Sequence, residues 1–577
     1  MAKDSIPSQS ALEQSHSDIE AVPLVTGGAA ETAPEPMPIP IAQDAGSDAL
    51  PGERRHIVKS ATLVMLGNLG SSVMGMVRQI VVAGLGSSIA GPFNSAISPA
   101  QTFNDFLING SINGALIPTF NDYASPEKRD ELRRIVFTIV NLVFLVMLTA
   151  AVVFLFIAPW FISNIQVPGY TPTEKQLTIQ FARIIFFSLL ALGPFAVLQA
   201  ALFARKEFGW PAVATAAYHI GIILGAVIGG YLGQHYFGYL GIAGGVVIGA
   251  LGEIGLLIPG MRNQRLRYMF VLDLKHPALR RILKLYGPVS ISFLASAFFV
   301  FLDQSLASRT PGDGAANYAA MRFATTLIQF PGGLVATALS VAVLPTLAEH
   351  ARAANSERFK KTLLLGFRLG LLLMIPAAAG LFVLALPIVS LLFQHYHSTA
   401  KDSQLMAIAL QNYTYQLPFI AIDQLLLAAF YARKNTVTPV IVYFVSFVGY
   451  LAVALPFWQT VGMPALVLAN TVQNSVHPII LLILLRMAIG PMHVREAIPA
   501  TLKILVATAA MIAVAIGLQV LFSHIALFSL NHLLGQLLTV LVVGGVAAGV
   551  YIGGVILLKV EEIALVKTAV LAKLGKK

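Results

Sequence analysis

The chain has 577 residues, 56% of them apolar and only 11% charged, with a mean hydropathy of +0.77. A soluble globule carries about 25% charged residues, so that class is excluded and an all-α polytopic membrane protein is expected. The net charge of +11 and the complete lack of cysteine leave a basic protein with no disulfide, thiolate metal site or cysteine nucleophile.

In chain order, residues 1–55 are rich in Ala, Ser, Pro and acid and lack the basic-then-apolar layout of a signal peptide. They read as a disordered cytoplasmic tail. Fourteen apolar runs follow, each near the 20 residues that a bilayer-spanning helix needs. They cover roughly 60–86, 93–119, 135–163, 176–203, 211–233, 239–260, 285–308, 315–348, 362–394, 405–431, 437–457, 463–485, 497–523 and 534–558.

With the N-terminus in the cytoplasm, 31 of the 38 Lys and Arg fall in cytoplasmic loops or tails, and only Lys175, Arg309 and Lys401 fall outside. That asymmetry obeys the positive-inside rule and places both termini in the cytoplasm. The basic residues therefore set topology, and no nucleic-acid partner is expected.

The chain is internally duplicated. Phe203-Ala204-Arg205-Lys206 with Pro211 recurs as Tyr431-Ala432-Arg433-Lys434 with Pro439, a shift of 228 residues. Ile117-Pro118-Thr119-Phe120 recurs as Leu344-Pro345-Thr346-Leu347, and Glu131-Leu132-Arg133-Arg134 as Arg358-Phe359-Lys360-Lys361, both shifted by 227. Three matches in register indicate a repeat. Six spans separate equivalent points, so the halves share one orientation, as in transporters whose substrate site lies between two parallel lobes. The expected domains are an N-lobe over 56–260, a basic amphipathic linker over 261–284 suited to the anionic leaflet, a C-lobe over 285–490, an added helix pair over 491–558 and a basic tail over 559–577.

Charged residues inside spans are costly and usually face a cavity or a partner. Arg78, in a glycine-rich first span, is the leading cavity candidate, with snorkelling or a structural pair as the alternative. Arg322 precedes the irregular stretch Gln329-Phe330-Pro331-Gly332-Gly333; Arg183 and Arg368 lie nearer span ends, where snorkelling is the simpler account. In the second span, Asn104, Asp105, Asn109, Ser111 and Asn113 suit a water-filled wall or interhelical hydrogen bonds, with Asn109 and Asn113 on one helix face. Glu253, Asp303 and Asp423 are proton or cation candidates, Asp303 foremost for ion coupling, or partners for a buried arginine. His395-Tyr396-His397 alone does not make a metal site. No phosphate-binding loop, zinc helix or nucleophile elbow occurs, so neither a cofactor nor enzymatic activity is expected.

Arg78-Gln79-Ile80-Val81-Val82-Ala83, Asn109-Gly110 through Ala115 and Pro118, Phe330-Pro331-Gly332-Gly333 with Leu344-Pro345, and Tyr431-Ala432-Arg433-Lys434 with Thr438-Pro439 carry a resemblance over about residues 60–560. The chain resembles the MurJ/MviN family, the lipid II flippases of the MOP exporter superfamily. The resemblance implies a monomer in the bacterial inner membrane with a central cationic cavity for a pyrophosphate-sugar headgroup. It also implies that spans thirteen and fourteen form a groove for the polyprenyl tail, and that alternating access delivers the precursor for peptidoglycan assembly. Its partners would be the polyprenyl-diphosphate-linked glycolipid and membrane lipids.

The sequence departs from the family pattern at several cavity positions. Asn104-Asp105 stand where the family has arginines, Asn109 where it has a glutamate, and Thr326 and Gln329 where an arginine and a glutamate precede Phe-Pro. Arg322 lies one helical turn from Thr326 and could restore charge on that face. Asp303 falls near an acidic position that some members use for sodium, yet span eleven lacks the matching Asn and Asp. These departures keep open two rivals: a MOP-type exporter of a polysaccharide-lipid, drug or cation, and a non-transporting scaffold.

Overall fold

A computed structural model describes Gly67 and residues 70–106, 115–232, 238–352, 356–492 and 494–563. Among them every regular element is helical. The N-lobe runs α1 (residues 70–83), α2 (Ser87–Asp105), α3 (Ile117–Asn121), α4 (Arg129–Phe161, continued by a wide turn to Gln166), α5 (Pro172–Ile185), α6 (Leu189–Ala204), α7 (Gly209–Gly225) and α8 (Leu240–Asn263). Next come α9 (Pro277–Arg309), α10 (Gly314–Ala342), α11 (Leu344–Arg352), α12 (Ser356–Val383), α13 (Ala385–Phe393), α14 (Ala400–Thr414), α15 (Leu417–Ala432), α16 (Val437–Phe457) and α17 (Met463–Ile489). The added pair is α18 (Ile498–Ser523), then α19 (Leu533–Leu538) leading into α20 (Gly544–Leu557).

Among the described residues nine helices are long and apolar enough to cross a membrane, or ten if the bent pair α14–α15 counts as one span. The described part of α1 is too short for that test, and α2 is polar. Residues such as Phe156, Trp160, Met487 and Leu557 are 60–82% exposed. Water would penalise so much open apolar surface, whereas lipid does not. The protein is therefore multi-pass.

The repeat is visible in the backbone. Lys206 and Lys434 both take the left-handed conformation, at φ 59° and 58°. Glu207 N–H reaches back to Leu202 O at 2.9 Å, and Asn435 N–H to Phe430 O at 3.0 Å. Each Ala-Arg-Lys copy thus ends its helix with the same 6→1 closure. The Pro118 and Pro345 copies likewise open short helices, α3 and α11.

Helix α7, with the wide-turn segment Ala226–Leu232 that continues it, meets α8 along glycines four apart, Gly221, Gly225 and Gly229 against Gly249, Gly245 and Gly241. Small residues at that spacing let backbones touch and maximise dispersion in lipid, where no hydrophobic force drives helices together. A Cβ on Gly245 would lie 2.5 Å from Gly221 O and 2.7 Å from Gly225 Cα, whereas Gly244 has open space. Gly245→Leu is expected to abolish the monodisperse, detergent-extracted protein, and Gly244→Leu to leave its yield within about twofold, because overpacking against rigid backbone costs about 1–3 kcal/mol or more. Size-exclusion profiles of the two variants check this.

The basic linker crosses α4 as an extended strap. Asn141 Nδ2 donates to Met269 O (3.3 Å) and Val271 O (3.0 Å), and Arg133 Nε donates to Arg267 O at 2.7 Å. Arg134 pairs with Asp273 at 3.0 Å, and Arg281 with Asp122 at 2.6 Å. The N-lobe thus satisfies several of the linker's backbone carbonyls together with the charges of Asp273 and Arg281.

Candidate functional site

The lobes meet at the end of the bundle that carries the α1–α2 turn. Gln166, in the wide turn closing α4, donates to Ser95 O at 2.6 Å and to Gln304 Oε1 at 2.8 Å. Gln304, on α9, donates in turn to Ser98 Oγ at 2.5 Å and Tyr318 Oη at 2.8 Å. Ser95 Oγ and Tyr170 Oη share a 2.8 Å bond. All six side chains are at most 5% exposed. Burial pushes the Tyr170 phenol well above its ordinary pKa, against the opposing pull of the Ser95 bond, so it stays protonated at neutral pH.

Close backbone approach completes this seal. A Cβ on Gly91 would lie 2.5 Å from Ala315 O, and one on Gly169 2.0 Å from Ser308 O. Gly169 N–H also donates to Ser308 Oγ at 3.1 Å, and His397 N–H to Gly84 O at 3.0 Å. His395 Nε2 bonds Leu391 O at 2.8 Å. The His395-Tyr396-His397 stretch therefore serves the joint between lobes, and the described residues contain no cluster of three or more metal-ligating side chains. Above the seal a cavity of about 350 Å³ is lined by Ser87, Asp313, Asn317, His397, Lys401 and Asp402, among others.

The candidate residues lie at different depths beneath the seal. At 1.5 Å per residue, Arg78 is about 9 Å inward of Gly84, Asp303 about 9 Å inward of the end of α9, and Arg322 about 12 Å inward of the start of α10. Thr326 and Gln329 are about 18 and 22 Å in, and Asn104 and Asp105 about 26 Å in, toward the opposite end. Arg78 and Arg322 are 6% and 7% exposed, while Asn104, Asp105, Thr326 and Gln329 are half-buried. Asn109 and Asn113 lie outside the described residues. The candidates thus sit at different depths along their helices and do not form one compact constellation.

Asp303 gathers a cluster that sequence reading only half saw. Its Oδ1 accepts from Tyr450 Oη at 2.5 Å and from Asn470 Nδ2 at 3.3 Å, with Arg322 in electrostatic reach. Tyr450 on α16 and Asn470 on α17 give spans eleven and twelve a role there that no residue motif announced. Arg322 and Asp303 both also act on Tyr413 of α14, so Arg322 faces the interior of the C-lobe.

Arg368 corrects a sequence expectation. Instead of snorkelling, its guanidinium pairs with Glu562 at 3.3 Å and donates to Glu496 O. Glu562 is 2% exposed, and a buried carboxylate draws a nearby arginine inward. With Tyr551 Oη donating to Leu372 O at 2.7 Å and Gln519 Nε2 to Val383 O at 3.0 Å, this fastens the added pair to α12. Arg183 does reach outward, donating to Leu155 O at 3.1 Å.

A family model described as lipid II flippase MurJ matches residues 81–535. The chain belongs to that family. Among MurJ relatives, a probable lipid II flippase MurJ of Bdellovibrio bacteriovorus is 26% identical over 473 residues, covering 81% of this chain and 89% of the relative. One from Synechocystis is 26% identical over 535 residues, covering 89% and 96%. The lipid II flippase MurJ of Burkholderia cenocepacia is 25% identical over 383 residues, covering 64% and 72%. In fold, the chain is similar to a solved lipid II flippase MurJ in an inward closed conformation, with TM-score 0.67, 20% identity and coverage of 85% of this chain and 99% of that one. It is also similar to an inward-facing MATE multidrug transporter of the MOP superfamily, with TM-score 0.62, 15% identity and coverage of 73% and 94%.

Proposed function

We propose that this protein is a lipid II flippase of the bacterial inner membrane, carrying the polyprenyl-diphosphate-linked peptidoglycan precursor from the inner to the outer leaflet by alternating access. It is a transporter and not an enzyme, works as a monomer with fourteen spans, and keeps both termini in the cytoplasm. The reading rests on membership of the MurJ family together with a seal between lobes that has buried Arg78 beneath it. In this orientation the seal is the outer gate, and the headgroup enters from the cytoplasm.

A pyrophosphate carries about two negative charges, whose passage through roughly 30 Å of hydrocarbon is prohibitive without cationic partners. Arg78 supplies a permanent charge and a planar fork that fits phosphate oxygens. Asn104, Asp105, Asn109, Asn113, Thr326 and Gln329 are proposed to line the route for the sugar-peptide part. The pair α18–α20, fastened to α12, offers a groove for the tail.

The deciding experiment is rescue of lipid II translocation in cells depleted of their own flippase. The unmodified protein is expected to restore it, Arg78→Ala to reduce it by at least tenfold at equal expression, and Arg78→Lys to retain part. A well-expressed unmodified protein that moves no lipid II would sink the proposal. Asn104-Asp105 in place of arginines would then favour another MOP-type cargo.

A further inference from the structure

Apart from the residues proposed to meet the cargo, His477 on α17 lies 4% exposed between two acceptors. Its Nδ1 is 2.7 Å from Asp423 Oδ1 on α15, and its Nε2 is 3.2 Å from the Pro439 carbonyl in the first turn of α16. A backbone carbonyl only accepts, and so does an ionised carboxylate. Satisfying both contacts requires either an imidazolium beside a carboxylate or a neutral imidazole beside a protonated Asp423. Both arrangements hold the same number of protons, one more than a neutral imidazole beside a carboxylate. Without that proton one contact sets acceptor against acceptor, and the buried pair acquires a net negative charge.

The surroundings offer no substitute for the proton. On α16, Tyr443 meets the imidazole edge-on at 6.1 Å. From α14 and the turn that follows it come uncharged groups, Asn412 O accepting from Thr471 and Gln416 Oε1 accepting from Asn474. The acid on α9, Asp303, engages the helix through Asn470, two turns away, and Arg322 on α10 acts on Asp303. The contact with Pro439 lies just beyond the duplicated Ala-Arg-Lys turn that joins α15 to α16.

We propose that His477 and Asp423 form a proton-binding site that ties α15, α16 and α17 together when loaded and frees α16 from α17 when the proton leaves, so that the ligand is H+ and the response is conformational. The proposal goes beyond the flippase reading and needs no particular cargo.

Asp423→Asn is the informative variant. The Asn amide donates to Nδ1 of a neutral imidazole whose Nε2–H still reaches Pro439, so both contacts persist without the titratable proton. Potentiometric titration of purified protein between about pH 5 and 9, the range in which histidine sites exchange protons, is expected to release about one proton fewer from the variant than from the unmodified chain. Maleimide labelling of Ser308→Cys at the lobe seal, divided at each pH by that of an exposed cysteine to remove the thiolate's own pH dependence, is expected to vary with pH in the Asp423 background and to be flat in Asp423→Asn. His477→Gln, which also lacks the proton, should show the same two losses and serves if Asp423→Asn folds poorly. Titration and labelling curves that match the unmodified protein in both variants would overturn the proposal, whatever the outcome of lipid II rescue.

Discussion

Gln304→Leu is expected to raise the rate at which a cysteine at Ser308 reacts with maleimide by about 30- to 150-fold. The chain has no cysteine of its own, so Ser308→Cys reports alone, and Ser308 is 2% exposed in the sealed state. Gln304 ties the N-lobe to the C-lobe by accepting from Gln166 and donating to Ser98, while a further bond to Tyr318 orients its amide. Leucine matches its size and removes all three bonds. Each polar group then left buried without a partner costs about 1–3 kcal/mol. Opening the seal admits water and relieves that cost, so the penalty falls on the closed state alone. At about 1–1.5 kcal/mol each, the low end of that range, two such groups shift the equilibrium by about 2–3 kcal/mol, roughly 30- to 150-fold, provided the open state remains the minor one. Ser305→Leu, one residue along α9 and half-buried, is the control and should leave the rate unchanged. An unaltered rate in Gln304→Leu, with the protein still folded, would mean that the close glycine contacts at Gly91 and Gly169 hold the seal by themselves.

The sequence made some of this plain and concealed the rest for physical reasons. Apolar runs and the Ala-Arg-Lys repeat are local signals, and both copies of the repeat close with nearly identical backbone torsions at Lys206 and Lys434. The added pair α18–α20 was legible as whatever lay outside the repeat. The seal was not, because Gln166 and Gln304 are single amides in apolar surroundings, 138 residues apart. Nothing about either amide alone distinguishes a gate from an isolated helix–helix bond. Arg368 shows the same limit: its charge is visible in the sequence, but Glu562, 194 residues away, decides where that charge goes. Asp303 was recognisable as costly, yet its donors Tyr450 and Asn470 are neutral residues on two other helices. Charge in a membrane span announces that a partner exists; identifying the partner requires the fold.

That distinction bears directly on Arg322, which sequence reading offered as a cavity cation and the structure sets in reach of Asp303. Arg322→Met should destabilise the protein by about 3–5 kcal/mol if the arginine chiefly balances Asp303, since it leaves a buried carboxylate with only two neutral donors. Adding Asp303→Asn to that variant removes the stranded charge and keeps an oxygen for Tyr450 Oη, so the double variant should recover most of the loss. Thermal unfolding in detergent would show the double variant melting closer to the unmodified protein than Arg322→Met does, a non-additivity expected only of groups that interact. If Arg322 instead served mainly to hold a phosphate, Arg322→Met would lower transport with little change in melting, and the two substitutions would act independently. The cluster around Asp303 favours the first outcome. Arg78, buried on α1 beneath the seal, is then the cation proposed to meet the pyrophosphate, which is why its loss should weigh most heavily on transport.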